Sequence, residues 1–183
     1  MKALRALLNP VVAAFLLLLA APALADDARL DDLFAQLQAT DDAGAEAVTQ
    51  QIWQEWAKSG SPAMDLLLQR GEEAMAAGDY QTAIGHFTAV IDHAPDFAEA
   101  WNARATAYFN TGDLGPSIND IQHVLALNPR HFGALAGLGM IFEELDEPDK
   151  ALEVYQAALA INPHMADVRQ AVKRLGAARG QDL

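Results

Sequence analysis

Apolar side chains recur at helical spacing through most of the chain, and the spacing itself repeats. In W-N-A-R-A-T-A-Y, Trp101, Ala105 and Tyr108 fall on one helix face, because 3.6 residues complete a turn. Two aromatics flanking an alanine shape a face that receives another element closely. Pro95, Pro129 and Pro163 are spaced 34 residues apart, and each closes a helix-like segment: V-I-D-H-A-P, V-L-A-L-N-P and A-L-A-I-N-P. Taking each proline as position 32 divides the chain into units 64–97, 98–131 and 132–163. The units agree column by column. Position 4 holds Leu67, Trp101 and Leu135, position 8 holds Gly71, Ala105 and Gly139, and position 11 holds Ala74, Tyr108 and Phe142. Position 20 holds Ala83, Ser117 and Ala151, position 24 holds Phe87, Ile121 and Tyr155, and position 27 holds Val90, Val124 and Ala158.

Each unit therefore predicts two antiparallel helices. Positions 4, 8 and 11 lie on one face of the first, and 20, 24 and 27 on one face of the second. Between them, Gly78-Asp79 and Gly112-Asp113 suit a helix C-terminus followed by an N-cap, and Pro148 in Asp146-Glu147-Pro148 suits a first helical turn. The residues at positions 8 and 20 are all small, which lets two helix backbones approach as ridges enter grooves.

These columns resemble the tetratricopeptide repeat, a helix–turn–helix of 34 residues. The match runs from Met64 to Pro163 in one register without insertion. The resemblance implies an all-α, right-handed α-solenoid of three units, with the array spanning 63–163. There are departures. Arg70 and Arg104 replace the usual leucine of the first helix, Ala74 replaces a tyrosine-like residue, Ser117 replaces an alanine, and Gly115-Pro116 loosens the start of one second helix.

A solenoid leaves an apolar face open at each end, so its flanks are expected to cap it. From 164 to 183, Met165, Val168, Ala171 or Val172, and Leu175 form an amphipathic stripe. They predict a closing helix with Arg169, Lys173 and Arg174 turned outward and a frayed tail from Gly180. From 26 to 62, Leu30, Leu33, Phe34 and Leu37 make one stripe and Val48, Ile52 and Trp56 another, with Thr40 to Gly44 as the turn. This is expected to be a degenerate helical hairpin capping the N-terminal end of the array. Trp53 and Trp56 at a partner-binding tip are the alternative.

The chain begins differently. Lys2 and Arg5 precede an apolar run from Val11 to Ala21, and Ala23-Leu24-Ala25 supplies the small-x-small pattern a signal peptidase accepts. The run is shorter than the about 20 apolar residues of a spanning helix. Residues 1–25 are expected to be a cleaved export signal, a retained anchor being the rival, and the mature protein to be periplasmic or secreted without stable membrane insertion. Loss of Lys2 and Arg5 would take the net charge from -13 to -15. So acidic a chain repels phosphate backbones and anionic lipid, which argues against nucleic acid as a partner. Cysteine is absent, which excludes disulfides, thiolate nucleophiles and cysteine-bound metals.

No catalytic constellation is visible. His86, His93, His123, His131 and His164 show no H-x3-H or H-E-x2-H element, and Glu143, Glu144, Asp146, Glu147 and Asp149 fit a solvated turn. No catalytic, cofactor-binding or metal residue is expected.

In a stacked array, positions 2, 5, 9 and 12 of the first helices line a concave groove. They are Asp65, Leu68, Glu72 and Met75; then Glu99, Asn102, Thr106 and Phe109; then Gly133, Ala136, Met140 and Glu143. Leu68, Met75, Phe109 and Met140 are apolar where a solvent-facing helix would be polar. That strip either binds a partner or lies under the closing helix or the N-terminal hairpin. In some members of the resembled family, lysines, arginines and asparagines in the groove grip a terminal carboxylate. Here Asn102 is present, but no groove position is Lys or Arg. An extended or helical partner segment with basic and apolar side chains fits better.

The expected function is a non-enzymatic adaptor in the periplasm of a Gram-negative bacterium, as in the short exported repeat proteins it resembles. Envelope assembly, secretion or complex maturation would be its setting. The alternatives are a subunit of a larger envelope complex bound through its convex face or ends, and an enzyme on a cell-wall or small-molecule substrate, which would need a deep polar pocket.

Overall fold

Helices start and stop where the sequence punctuates them. A computed structural model describes residues 28–181, so the expected export signal, 1–25, lies outside the described residues. Within them every regular element is α-helical: α1 (28–39), α2 (Asp42–Trp56), α3 (Pro62–Ala76), α4 (Tyr80–His93), α5 (Ala98–Thr111), α6 (Leu114–Leu127), α7 (Phe132–Glu144), α8 (Pro148–Ile161) and α9 (Ala166–Gln181). The pairs α3/α4, α5/α6 and α7/α8 are the three units.

The turns follow the residues that permit them. Gly78 and Gly112 take the left-handed conformation at φ 76° and 80°, and Asp146 takes the same role in the third unit at φ 57°. Asp79 caps α4 by accepting from the Thr82 N–H. Asp113 holds the matching position before α6 without capping it, because its carboxylate accepts instead from the Thr111 hydroxyl. Gly115 and Pro116 do not loosen α6: the proline falls in the first turn, where its missing N–H has no intrahelical partner. After α6 and α8, Asn128 and Asn162 each accept from the backbone N–H two residues on, repeating one asparagine–proline turn.

Close approach within each unit is made by matched volumes. A Cβ added to Gly71 would collide with the Phe87 ring, and one added to Gly139 with the Tyr155 ring. In the middle unit an alanine, Ala105, meets the smaller Ile121 in one shared core. Large opposes absent, and medium opposes small.

The departures from the repeat pattern are also answered by partners. Arg104 donates through Nε and Nη2 to both carboxylate oxygens of Asp120, at 2.7 and 2.9 Å, and through Nη1 to Thr88. Asp120 is buried, and this pair raises the arginine's affinity for its proton. Ser117 donates to the Ala105 carbonyl. Trp101 donates to the Pro95 carbonyl, stacks on His123 with ring centroids 4.2 Å apart, and joins the cores of the first two units.

The closing helix α9 packs Val168, Met165, Ala171, Val172 and Leu175 against Ala151, Tyr155 and Ala158, as expected. It runs through Gly180 to Gln181, and the last two residues of the expected tail lie outside the described residues. Arg169 and Arg174 pair with Asp42 and Glu143.

The N-terminal hairpin forms, with Arg29 of α1 paired to Glu55 near the end of α2. Its position corrects the sequence expectation. Leu33, Phe34, Leu37, Ala45, Val48 and Ile52 pack with Phe132, Ile161 and Met165 of the third unit and its exit, not on the outer face of the first unit. Gln38 donates to the carbonyls of Ala160 and Ile161, Arg130 pairs with Asp31, and His164 lies against both Asp42 and the Leu37 carbonyl. The cause is aromatic packing: Trp56 stacks on the buried His131 at 4.4 Å, and Trp53 and Trp56 both contact Phe132.

Candidate functional site

The groove expected from repeat register exists, with the hairpin as an added wall. Its floor comes from α3, α5 and α7. Along one side, α2 runs from α9, where Asp42 meets Arg169, to the neighbourhood of Glu72 and Glu99, which Trp53, Gln54 and Ala57 approach. Trp53 sits where a Cβ on Gly133 would collide with its ring. The missing side chain at position 133, where the other units carry Asp65 and Glu99, is the sequence signal for that wall. It became interpretable only with the wall in view.

Three features line this channel. Between α5 and α7 a recess of about 240 Å³ is bounded by Ala105, Thr106, Phe109, Ile121, Gly137 and Met140. Small residues on α7 leave it open. Met140 is 48% exposed, while Phe109 is half-buried against the core of the second and third units. Toward the first unit, a hollow of about 200 Å³ is lined by Gln50, Trp53, Gln54, Ala57, Glu72 and Glu99. Another, of about 210 Å³, continues from Glu72 and Glu99 past Met75 and Asn102 to Thr106. The two carboxylates stand between these hollows. Beyond them, a wider cleft of about 670 Å³ separates α2 from α7 and α9.

Electrostatics fix the sign of the site. Glu99 is held in place, accepting from Asn102 at 2.9 Å and from His131 Nε2 at 3.2 Å. Since His131 Nδ1 accepts from the Ala134 N–H, capping α7, its proton sits on Nε2 and the imidazole is a neutral donor to Glu99. Burial, with the Glu99 carboxylate beside it, pushes the Glu72 carboxyl up. Among the described residues, no lysine or arginine pairs with Glu72 or Glu99.

Of the sequence-predicted groove residues, Glu72, Met75, Glu99, Asn102, Thr106, Phe109 and Met140 line these spaces. Three others have structural partners. Asp65 turns back to accept from the Ser59 N–H and hydroxyl, fastening the loop before α3. Leu68 is buried in the core with Phe97 and Ala100. Glu143 accepts from the Tyr155 hydroxyl and pairs with Arg174, while still edging an open hollow beside Phe109 and Met140. Burial and that hydrogen bond push the Tyr155 hydroxyl well above its usual range. Sequence reasoning offered Trp53 only at a partner-binding tip and missed Gln50 and Gln54 as wall residues, and Ile121 and Gly137 as the bottom and side of the recess.

Comparison with known proteins agrees with the repeat fold. Models of the tetratricopeptide repeat match residues 68–115 and 132–165. A TPR repeat-containing protein of Rhizobium etli is 36% identical over 148 residues, covering 80% of this chain and 72% of that protein. The small glutamine-rich tetratricopeptide repeat-containing protein 2 of Saccharomyces cerevisiae is 31% identical over 130 residues, and the match spans 71% of this chain but only 37% of the yeast protein. Among solved structures, the first TPR of Spaghetti (RPAP3), bound to the HSP90 peptide SRMEEVD, has a TM-score of 0.61 at 22% identity, covering 64% of this chain and 93% of that one. That likeness shows the fold.

Proposed function

The chain belongs to the tetratricopeptide-repeat family, and from that premise we propose that it is an exported, non-enzymatic adaptor that holds a segment of a partner protein in its walled groove. The observation that carries this reading is the recess between α5 and α7, apolar, open, and bordered by the 48% exposed Met140. An exposed apolar hollow rimmed by polar groups is what a protein-binding surface offers, and methionine adapts to varied side chains. The leader pattern of residues 1–25 supports export to the periplasm, the relative from Rhizobium etli supports a bacterial chain, and envelope assembly, secretion or complex maturation is the setting that export would give it.

The solved neighbour holds a peptide ending in Glu-Glu-Val-Asp. The groove described above presents Glu72 and Glu99 and would repel such an end. Replacing Phe109 or Met140 by glutamate is expected to abolish capture of the partner by in-cell crosslinking from neighbouring groove positions, with helicity by circular dichroism unchanged. Retained capture would favour the second reading, a subunit bound through its ends or convex face. That reading draws on Leu66, 49% exposed on α3 beside the uncapped first unit.

A further inference from the structure

We infer that the groove selects a segment carrying a lysine or arginine close to a large apolar residue, the apolar side chain filling the Phe109–Ile121–Met140 recess and the cation reaching the Trp53–Glu72–Glu99 hollow. This rests on the groove reading above and specifies its occupant. The recess alone would accept any apolar side chain; what lies next to it decides the neighbour. Asn102 and Thr106 line both the recess and the hollow beside Met75, and that hollow shares Glu72 and Glu99 with the Trp53 hollow, so the three spaces follow one another along the groove.

Charge complementarity then fixes the sign. Glu99 is oriented by Asn102 and a neutral His131, neither of which removes its charge. Glu72 lines the same hollows, and desolvation there, with the like charge of Glu99 beside it, disfavours ionisation of Glu72. A cation between them relieves that repulsion; an anion adds to it. The hollow also suits the shape of a basic side chain. Trp53 and Ala57 offer an apolar wall for a methylene stem, while Gln50 and Gln54 offer amide oxygens for the N–H groups of its head. Much of that wall belongs to the N-terminal hairpin, so the selectivity is a property of this chain's hairpin placement and not of the repeats alone.

The test is selection of displayed random short peptides on the full chain, followed by affinity measurements on the enriched sequences. The expected outcome is enrichment of lysine or arginine near Leu, Phe or Met. Affinity should fall about tenfold on Glu72→Gln, on substitution of glutamine for the peptide's basic residue, and not much further on both together, since one ion pair is being removed. Phe109→Glu should abolish binding of the same peptides. Enriched peptides that are acidic or uncharged, yet still sensitive to Phe109→Glu, would refute the charge selection and leave the groove intact. Peptides indifferent to Phe109→Glu, or no enrichment at all, would overturn both.

Discussion

At the scale of single residues, the array is specified by volume matched across each helix pair. Gly71→Ala should destabilise by about 1–3 kcal/mol in denaturant unfolding, because its Cβ enters space occupied by the fully buried Phe87 ring. The double variant Gly71→Ala, Phe87→Ile copies the Ala105–Ile121 pairing and should recover much of that loss; additive costs would contradict the matched-volume account. This level was legible in the sequence. Small residues at positions 8 and 20 announced the crossing, although the pairing of glycine with an aromatic and alanine with isoleucine emerged only in three dimensions. The Arg104–Asp120 pair was legible only by half: the arginine stood out as a departure, but a partner 16 residues away carries no periodic signature. Glu72 offers a titration test. Its folded-state value is raised, so the contribution to stability is fully present below the ordinary glutamate range and is lost as pH rises through the folded value. Glu72→Gln should therefore raise Tm at pH 7, and the gain over wild type should shrink toward pH 4, even as the variant loses affinity for basic peptides.

At the scale of elements, the N-terminal hairpin departs furthest from expectation. Its helices were readable from their stripes, and its turn shortened only because Asp41 caps α2 at the Gly44 N–H. Its location was not readable. Periodicity says which face of a helix is buried and nothing about which surface buries it. Two forces dock it, of unequal weight. The exposed Asp42–Arg169 pair, with the more buried His164 beside it, adds geometry more than energy, as surface ion pairs do. The aromatic cluster around Phe132 supplies the larger share, and Trp56→Ala should cost about 3 kcal/mol and release the hairpin, read as rapid amide exchange in α1 and α2. Asp42→Asn should quicken exchange only modestly. Hydrogen bonds from Arg169 and His164 hold the Asp42 carboxyl well below the usual carboxylate range. Its contribution is thus complete at neutral pH, begins to fade below the ordinary aspartate value of about 4, and disappears only beneath its depressed folded value.

At the scale of the whole molecule, repeats that touch only their neighbours make an array whose length is unconstrained by local packing. The placement of α2 changes that. Its 15 residues span about 22 Å at 1.5 Å per residue, between two and three helix spacings of about 8–10 Å. One end is pinned to α9 and the other lies over the first and second units. The helix is therefore a ruler laid along the stack: insert a unit, and it can reach one end or the other but not both. The number of repeats in this protein is measured by a segment that is not itself a repeat.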